Sequence, residues 1–309
     1  MNSSKLEIPE PSKSALRHAR ALQRRRYRQE TGQFLVEGRQ AVREALKAPG
    51  VVDSLYVRWD AAFDNADLLE QAKAAGVPYF ALSEQNLATV TDTVTPQGVV
   101  AVAQAVDVPL STLPAHPALV VICAQVRDPG NAGTVIRCAD AFGADAVILS
   151  EDSVDAYNPK VVRATVGSLF HLPLIVGVSL AKAVGACRER GLQMFAADGQ
   201  AGTDLAGLGA DLARPTAWLM GNESWGLPAA SRDLADKSVS VPMYGRAESL
   251  NLATATAVCL YASASAARAG TVRPAQVTDA TNAENQAGGT VPILPFPRES
   301  SKENTNGPR

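Results

Sequence analysis

The chain has 309 residues, a formal net charge of −2 and a hydrophobic content of 46%, which is typical of a soluble globular protein. Because single cores rarely grow beyond about 250 residues, this length predicts two domains with tails. No apolar run approaches the ~20 residues that a membrane span needs, and the first residues lack the apolar core of a secretory signal. We therefore expect a cytoplasmic protein without a membrane partner, and one that does not bind nucleic acid through its overall charge alone.

The first predicted element is a basic segment, the basic arm, from Lys13 to Arg28. It holds seven Lys or Arg and no acidic residue. Phosphate contacts by such a segment release counterions, and Tyr27 adds a stacking surface. The alternative is a solvated helix face that packs through Leu16, Ala19 and Leu22. The arginines predicted to bind RNA are Arg17, Arg20, Arg24, Arg25, Arg26 and Arg28.

Strand and helix patterns alternate after the arm and predict a small α/β domain over 13–106, preceded by a flexible N-terminus at 1–12. The segment 107–117 contains three prolines and little periodicity, so we interpret it as a linker. The predicted strands are 34–38, 52–57, 77–81 and 99–105, and the predicted helices are 41–46 and 68–75.

A second α/β domain is predicted over 118–268. Its first strand, 118–124, is a continuous apolar run, which is typical of a parallel sheet buried on both faces. The tail 269–309 is rich in Pro, Asn, Gly and Thr, and we expect it to be disordered. The other predicted strands are 146–149, 193–197, 216–220 and 238–241, and the predicted helices are 132–142, 180–190, a segment after Pro228, and 252–267.

Three short segments of this domain place Gly or small polar residues where a strand passes into a helix: 131–137, 221–228 and 248–254. In such turns, backbone N–H groups and short side chains can face a ligand, so three of them predict one composite site. No Gly-x-Gly-x-x-Gly follows the first strand of the domain, which disfavours a nucleotide-cofactor oxidoreductase. The four cysteines, Cys123, Cys138, Cys187 and Cys259, are widely spaced among apolar residues, so we expect no metal site.

These three segments, in this order, resemble the motifs of the SpoU/TrmH family of RNA ribose 2′-O-methyltransferases, within the SPOUT superfamily. The Asn and Arg of the first motif are Asn131 and Arg137, and the second motif, Gly-x-Glu-x-x-Gly-Leu, spans 221–227. The third, Pro-Met followed by Ser-Leu-Asn, is present at 242–243 and 249–251. The likeness extends over roughly residues 15–267, and its N-terminal part resembles the substrate-binding domain of many SpoU enzymes.

The resemblance implies a SPOUT-type parallel sheet with a C-terminal trefoil knot, in which the segment 241–251 passes through an earlier loop. It also implies a homodimer with the site at the subunit interface. The final helix carries an apolar surface of mostly small residues that suits helix packing between subunits, although it could instead cover its own sheet. That surface consists of Ala253, Ala257, Leu260 and Ala264.

The resemblance further implies S-adenosyl-L-methionine as cofactor, with contacts from Gly221, Val241 and Leu250. Without the motif, these would be a loop glycine and two core residues. Arg137 is expected to position the ribose-phosphate and to stabilise developing negative charge. The family's equivalent arginine is proposed to help deprotonate the 2′-hydroxyl, which conflicts with the high pKa of a guanidinium, so its action as a base stays open.

Four further residues complete the predicted catalytic set. Asn131 would cap the helix that follows and could also orient the ribose or Arg137, since the two roles are compatible. Glu223 would anchor its loop or fix Arg137. Ser249 and Asn251 would lie near the reacting ribose, with helix capping as the alternative.

The resulting hypothesis is an S-adenosylmethionine-dependent RNA ribose 2′-O-methyltransferase. The N-terminal domain resembles that of ribosomal-RNA enzymes more than that of the transfer-RNA branch, and this resemblance favours 23S ribosomal RNA as the substrate. Three alternatives stay open: a transfer-RNA 2′-O-methyltransferase, a non-catalytic RNA-binding protein of the same fold, and a drug-resistance methyltransferase that acts on ribosomal RNA.

Overall fold

The computed structural model describes residues 8–93, 95–222 and 224–271. Most of the predicted N-terminal segment, Glu223 and the predicted tail from 272 onward lie outside these described residues. Within them, no helix combines the length and the apolar character that crossing a membrane would require.

The N-terminal part contains a sheet of four strands in the order β1-β4-β2-β3. Strand β4 runs antiparallel to both of its neighbours, whereas β2 and β3 are parallel. The strands are β1 (Gln33–Glu37), β2 (Val52–Arg58), β3 (Tyr79–Leu82) and β4 (Val99–Gln104). The helices are α1 (Lys13–Ala21), α2 (Arg25–Thr31), α3 (Arg39–Lys47), α4 (Ala66–Ala74) and α5 (Glu84–Val90). The four strands lie where the sequence predicts them.

The C-terminal part contains a seven-stranded sheet in the order β7-β6-β5-β10-β8-β11-β9, with every neighbouring pair parallel. This confirms the predicted parallel α/β sheet. The strands are β5 (Leu119–Cys123), β6 (Ala146–Ser150), β7 (Leu174–Val178), β8 (Gln193–Ala197), β9 (Thr203–Asp204), β10 (Thr216–Met220) and β11 (Lys237–Ser240). The helices are α6 (Pro129–Ala141), α7 (Pro159–Thr165), α8 (Leu180–Glu189), α9 (Ala229–Arg232) and α10 (Leu252–Thr271).

Helix α6 begins three residues before the predicted start. The side chain of Asp128 accepts a hydrogen bond from the Asn131 backbone N–H at 2.8 Å, and Pro129 occupies the first helical position. Both are strong helix-start features. The prediction that Asn131 caps this helix is therefore wrong, and its side chain is left to serve another role.

The two parts pack against each other and share one hydrophobic core. The Phe34 ring of β1 lies 4.5 Å from the Tyr157 ring and 6.3 Å from the Phe170 ring, between ring centres. Across the same junction, Arg163 Nη1 lies 3.1 Å from Glu37 Oε2. The N-terminal sheet is thus fixed to the C-terminal sheet by both apolar and ionic contacts.

Helix α10 packs against α6 and β10. Two of the four residues predicted to form a dimer surface, Ala253 and Leu260, are buried in the core of their own chain. At those two positions, the structure therefore supports the alternative, in which the helix covers the sheet of its own chain. Tyr261 on the same helix is 61% exposed and lies edge-on to Phe142 of the neighbouring segment.

Candidate active site

A cleft of about 160 Å³ opens where β8, β10 and β11 end at one edge of the parallel sheet. Ligands of open α/β sheets bind at such carboxyl edges. The cleft brings together four predicted site residues from two motifs, namely Gly221, Val241, Ser249 and Leu250. The other residues that line it are Ala197, Asp198, Gly199, Met220, Asn222, Gly226, Val239, Met243, Glu248, Leu252 and Ala255.

Gly221 opens the loop of the second motif. Asn222 and Gly226 exchange two backbone hydrogen bonds, of 3.0 and 2.9 Å, which fold the loop back on itself. A Cβ atom at Gly221 would lie 2.5 Å from the Gly226 carbonyl carbon and 2.7 Å from the Leu227 nitrogen. No side chain fits there, so this glycine is required by loop closure, independently of any ligand.

The first and third motifs meet through two asparagine side chains. Asn251 Nδ2 donates to Asn131 Oδ1 at 2.9 Å. Asn251 Oδ1 accepts from the backbone N–H groups of Ala253 at 2.9 Å and Thr254 at 3.4 Å. Asn251 therefore caps α10, as the alternative expected, and also joins the two motifs.

Arg137 lies on α6, six positions after Asn131, and its side chain is exposed. It is not among the residues that line the cleft. Within residues 8–93, 95–222 and 224–271, it forms no ion pair, so a surface ion pair with a described residue does not explain its presence. Glu223 lies outside the described residues, so its predicted contact with Arg137 stays a prediction.

The basic arm folds into α1 and α2, and five of its six candidate arginines are exposed: Arg17, Arg20, Arg24, Arg25 and Arg26. Two of these have partners at the surface. Arg20 Nε donates to Thr89 Oγ1 at 2.6 Å, and Arg26 Nε lies 2.7 Å from Glu30 Oε1. The remaining three, Arg17, Arg24 and Arg25, are exposed on α1, before α2 and on α2, respectively.

Arg28 differs from the other arginines of the arm because it is 5% exposed. Its guanidinium donates to the backbone carbonyls of Leu22 and Gln23 at 2.8 Å each, and Nη2 lies 2.5 Å from Asp155 Oδ2. This geometry corrects the prediction of a phosphate contact. Arg28 is a structural ion pair that joins the arm to the C-terminal part, and the sequence could not identify its distant acidic partner.

Sequence reasoning did not include two acidic side chains of the cleft among the site residues, Asp198 and Glu248. Burial raises the pKa of Asp198, but hydrogen bonds from Arg232 and from the Gln200 backbone outweigh burial and hold the pKa below its ordinary value. Its position immediately after β8, at the carboxyl edge of the sheet, was the signal available in the sequence.

The four cysteines are all free thiols, and three of them are buried. Burial raises the pKa of Cys187 and Cys259 to about 12, which keeps both thiols protonated near neutral pH. Neither can act as a thiolate nucleophile or ligand under those conditions.

Two family profiles match the chain in tandem. The SpoU rRNA Methylase family matches residues 118–261, and the MRM3-like substrate binding domain matches residues 13–101. The N-terminal match ends within β4, and the C-terminal match begins one residue before β5.

Curated relatives match most of the chain. The 23S rRNA (guanosine(2553)-2′-O)-methyltransferase RlmP of Bacillus subtilis is 37% identical over 240 residues, which cover 78% of this chain and 92% of that protein. The 23S rRNA (uridine(2479)-2′-O)-methyltransferase of Streptomyces viridochromogenes is 34% identical over 251 residues, covering 77% of this chain and 84% of that protein.

Solved structures also align over both sheets. The SpoU methyltransferase AviRb from Streptomyces viridochromogenes, in complex with the cofactor AdoMet, has a TM-score of 0.72 at 30% identity and covers 85% of this chain and 100% of its own. The AdoMet-bound rRNA methyltransferase from Sinorhizobium meliloti has a TM-score of 0.73 at 30% identity, covering 86% of this chain and 98% of its own.

Proposed function

The chain belongs to the SpoU rRNA methylase family, and from this premise we propose that it transfers a methyl group from S-adenosylmethionine to a ribose 2′-hydroxyl of 23S ribosomal RNA. The observation that carries the proposal is the Asn131–Asn251 hydrogen bond, which joins two motifs beside the cleft. The names of both curated relatives specify 2′-O-methylation of 23S rRNA, and this supports the same reaction here.

The cleft fits the proposed cofactor in its chemistry. Val241, Leu250 and Leu252 offer apolar contact for an adenine ring, and Gly199 and Gly221 let ligand atoms approach the backbone. The carboxylates of Asp198 and Glu248 suit the positively charged and hydroxyl groups of the molecule. When bound, S-adenosylmethionine supplies an activated methyl group on a sulfonium.

The chain's own contribution is then orientation of the ribose. Asn131 and Asn251 hold each other in place, and Ser249 lies in the cleft two residues before Asn251. Such fixed polar groups can align a hydroxyl for in-line transfer, where positioning supplies much of the rate. We assign Arg137 to the ribose-phosphate and to the negative charge that develops on the oxygen. Glu223 is proposed to anchor the second-motif loop.

We propose that the active enzyme is a homodimer. Arg137 is exposed and absent from the cleft lining of its own chain, which supports its delivery to the cleft of a partner subunit. The exposed Tyr261 ring beside Phe142 offers an apolar contact on the neighbouring surface of α10.

Mixing two inactive variants tests this composite site. Subunits carrying Arg137→Ala should be nearly inactive alone, and subunits carrying Asn251→Ala should keep about a tenth of native turnover. If the site combines both chains, random mixing restores one intact site in half of the dimers, or about a quarter of native activity. A monomeric mass by light scattering with full activity, or no recovery on mixing, would contradict the dimeric site.

The proposed trefoil knot places the segment 241–251 through an earlier loop. Membership of the SpoU family supports this knot. A crystal structure with continuous density through 241–251 tests the threading. We also propose a cytoplasmic location, which a ribosomal RNA substrate supports and which cell fractionation tests.

The function is tested with purified protein, labelled S-adenosylmethionine and 23S ribosomal RNA from a deletion strain. We expect label at one nucleotide, in a 2′-O-methyl group that blocks alkaline cleavage on its 3′ side. Transfer-RNA from the same strain serves as the competing substrate. Label in transfer RNA alone would establish the transfer-RNA alternative, and no heat of cofactor binding in calorimetry would favour the non-catalytic RNA-binding protein.

A further inference from the structure

Arg127 and Trp225 form a stacked pair at the edge of the cleft. The Arg127 guanidinium carbon lies 5.2 Å from the centre of the Trp225 ring. Trp225 is 51% exposed, although an indole ring contributes most to folding stability when it is buried. Its ring is held by a cation on one face and leaves a large apolar surface to solvent.

The pair lies on two loops that are fixed to each other. Asn222 Nδ2 donates to the Gln125 carbonyl at 2.8 Å, which joins the second-motif loop to the loop after β5. Trp225 stands between Asn222 and Gly226, two residues that line the cleft. Arg127 immediately precedes Asp128, the cap of the helix that carries Asn131.

Arg127 also borders an open depression on the side of the basic arm. That depression is lined by Arg25, Arg127, Asp152, Ser153 and Val154. The loop beneath it is fixed by a hydrogen bond of 2.8 Å from the Val154 N–H to the Val126 carbonyl. Arg25, Arg127 and Trp225 therefore form a strip, the entry strip, that leads from the arm to the cleft.

We propose that the entry strip binds the single-stranded RNA next to the methylated nucleotide, with a neighbouring base stacked on Trp225 and phosphates held by Arg127 and Arg25. The proposal rests on the proposed function, because the occupant is its RNA substrate. Stacking on an aromatic ring accepts any base, and a guanidinium pairs with phosphate through its planar fork of donors. The entry strip thus adds to the proposed active site a set of residues that position the RNA substrate.

One negative charge beside the entry strip opposes the binding of RNA phosphates. Asp152 is exposed and lines the depression beside Arg25 and Arg127, so its carboxylate repels a phosphate there. The proposal therefore predicts a change of opposite sign: Asp152→Asn should tighten RNA binding where Arg127→Ala weakens it.

The first test measures binding of fluorescent oligoadenylate and of an abasic ribose-phosphate oligomer of equal length. Trp225→Ala should weaken oligoadenylate binding about tenfold and leave the abasic oligomer unchanged, since only the former can stack. Trp225→Phe should restore most of the affinity, and Arg127→Ala should weaken both oligomers.

The second test uses methylation of 23S ribosomal RNA fragments. Trp225→Ala should raise KM for RNA about tenfold, with kcat and the affinity for S-adenosylmethionine unchanged. Equal weakening of both oligomers by Trp225→Ala, an unchanged affinity for oligoadenylate, or a loss of dimeric mass in Trp225→Ala would each overturn the proposal. If the native protein methylates no RNA, the proposed function fails, and the binding assay still decides the strip.

Discussion

The side chains of Asn131 and Asn251 stand 120 positions apart in sequence and share a hydrogen bond of 2.9 Å. Asn251 also caps α10 through its other amide atom. One residue therefore both starts the last helix and holds the first motif. A change in the position of α10 is transmitted directly to the residue proposed to orient the ribose.

The two roles of Asn251 can be separated by substitution. Asn251→Ser keeps an oxygen for the helix cap but lacks the amide that reaches Asn131, so stability should change little while turnover falls about five- to tenfold. Asn251→Ala should also lose about 1 kcal/mol of unfolding free energy, because the cap is gone. Urea unfolding and single-turnover methylation measure the two effects. Equal turnover in Asn251→Ser and native enzyme would contradict the shared role.

Arg137→Ala should abolish most turnover without weakening binding. A donor that acts on developing charge contributes about 10²–10³ in kcat, and Arg137 is proposed to face the ribose-phosphate and not the cofactor. We expect unchanged calorimetric affinity for S-adenosylmethionine and near-native RNA affinity. Arg137→Lys keeps the charge but not the planar fork and should recover only part of the rate. Near-native turnover in Arg137→Ala would remove this residue from the catalytic set.

The exposed arginines of the basic arm should control the salt dependence of RNA binding. Each phosphate contact adds roughly 0.7–0.9 to the slope of log affinity against log salt, so replacing Arg17 and Arg24 with Ala should flatten the slope by about 1.5. Lys73→Ala with Lys182→Ala removes the same charge from exposed sites outside the arm and serves as the control. An identical slope in both double variants would show that only the total charge matters.

Gly133 should be the least tolerant glycine of α6. A Cβ there would lie 2.4 Å from the Val161 carbonyl oxygen and 2.6 Å from Ala164 Cβ, where α6 crosses α7. We expect Gly133→Ala to lower the unfolding free energy by about 1–3 kcal/mol, despite the better helix propensity of alanine. Gly185→Ala in α8 has open space around its Cβ and should instead stabilise by about 0.5–1 kcal/mol. Denaturant unfolding compares the two, and equal effects would contradict the close crossing.

His171 should make stability depend on pH near neutrality. Its burial lowers the pKa, but hydrogen bonds with Asp140 and Glu44 outweigh burial and raise the pKa above the ordinary value of 6.5. The stabilisation is therefore complete below 6.5 and is lost as pH rises through the higher folded-state pKa. The difference in unfolding free energy between native and His171→Gln protein should shrink over that interval, with exposed His116→Gln as the control. A difference that grows with pH would contradict the pair of hydrogen bonds.

In the C-terminal part, the sequence predicts β5 and the turn after β10 better than it predicts β7 and α7. The apolar run of β5 and the small residues after β10 carry local signals, because a buried strand and a tight turn each require particular residue types. Strand β7 was not predicted, and neither was α7, whose Arg163 reaches Glu37 across the junction. Both depend on packing between segments distant in sequence, which periodicity does not report.

Arg28 shows the same limit for the predicted site. Its neighbours in sequence are basic, which favours a phosphate contact, yet its ion-pair partner is 127 positions away. Likewise, Asn131 is a good capping residue by type, but Asp128 stands at the correct distance to cap α6. Residue type limits what each side chain can do, and tertiary geometry decides between the remaining choices.

The shared core around Phe34, Tyr157 and Phe170 limits the exchange of the N-terminal part between related enzymes. In the proposed RNA complex, this junction would fix the distance from the arm to the cleft, so the N-terminal part would select the nucleotide by length as well as by affinity. A chimera that takes this part from another enzyme must also import the partners on the far side, Asp155 and Arg163 among them. In such a chimera, substrate choice would therefore depend on matching contact surfaces in both parts.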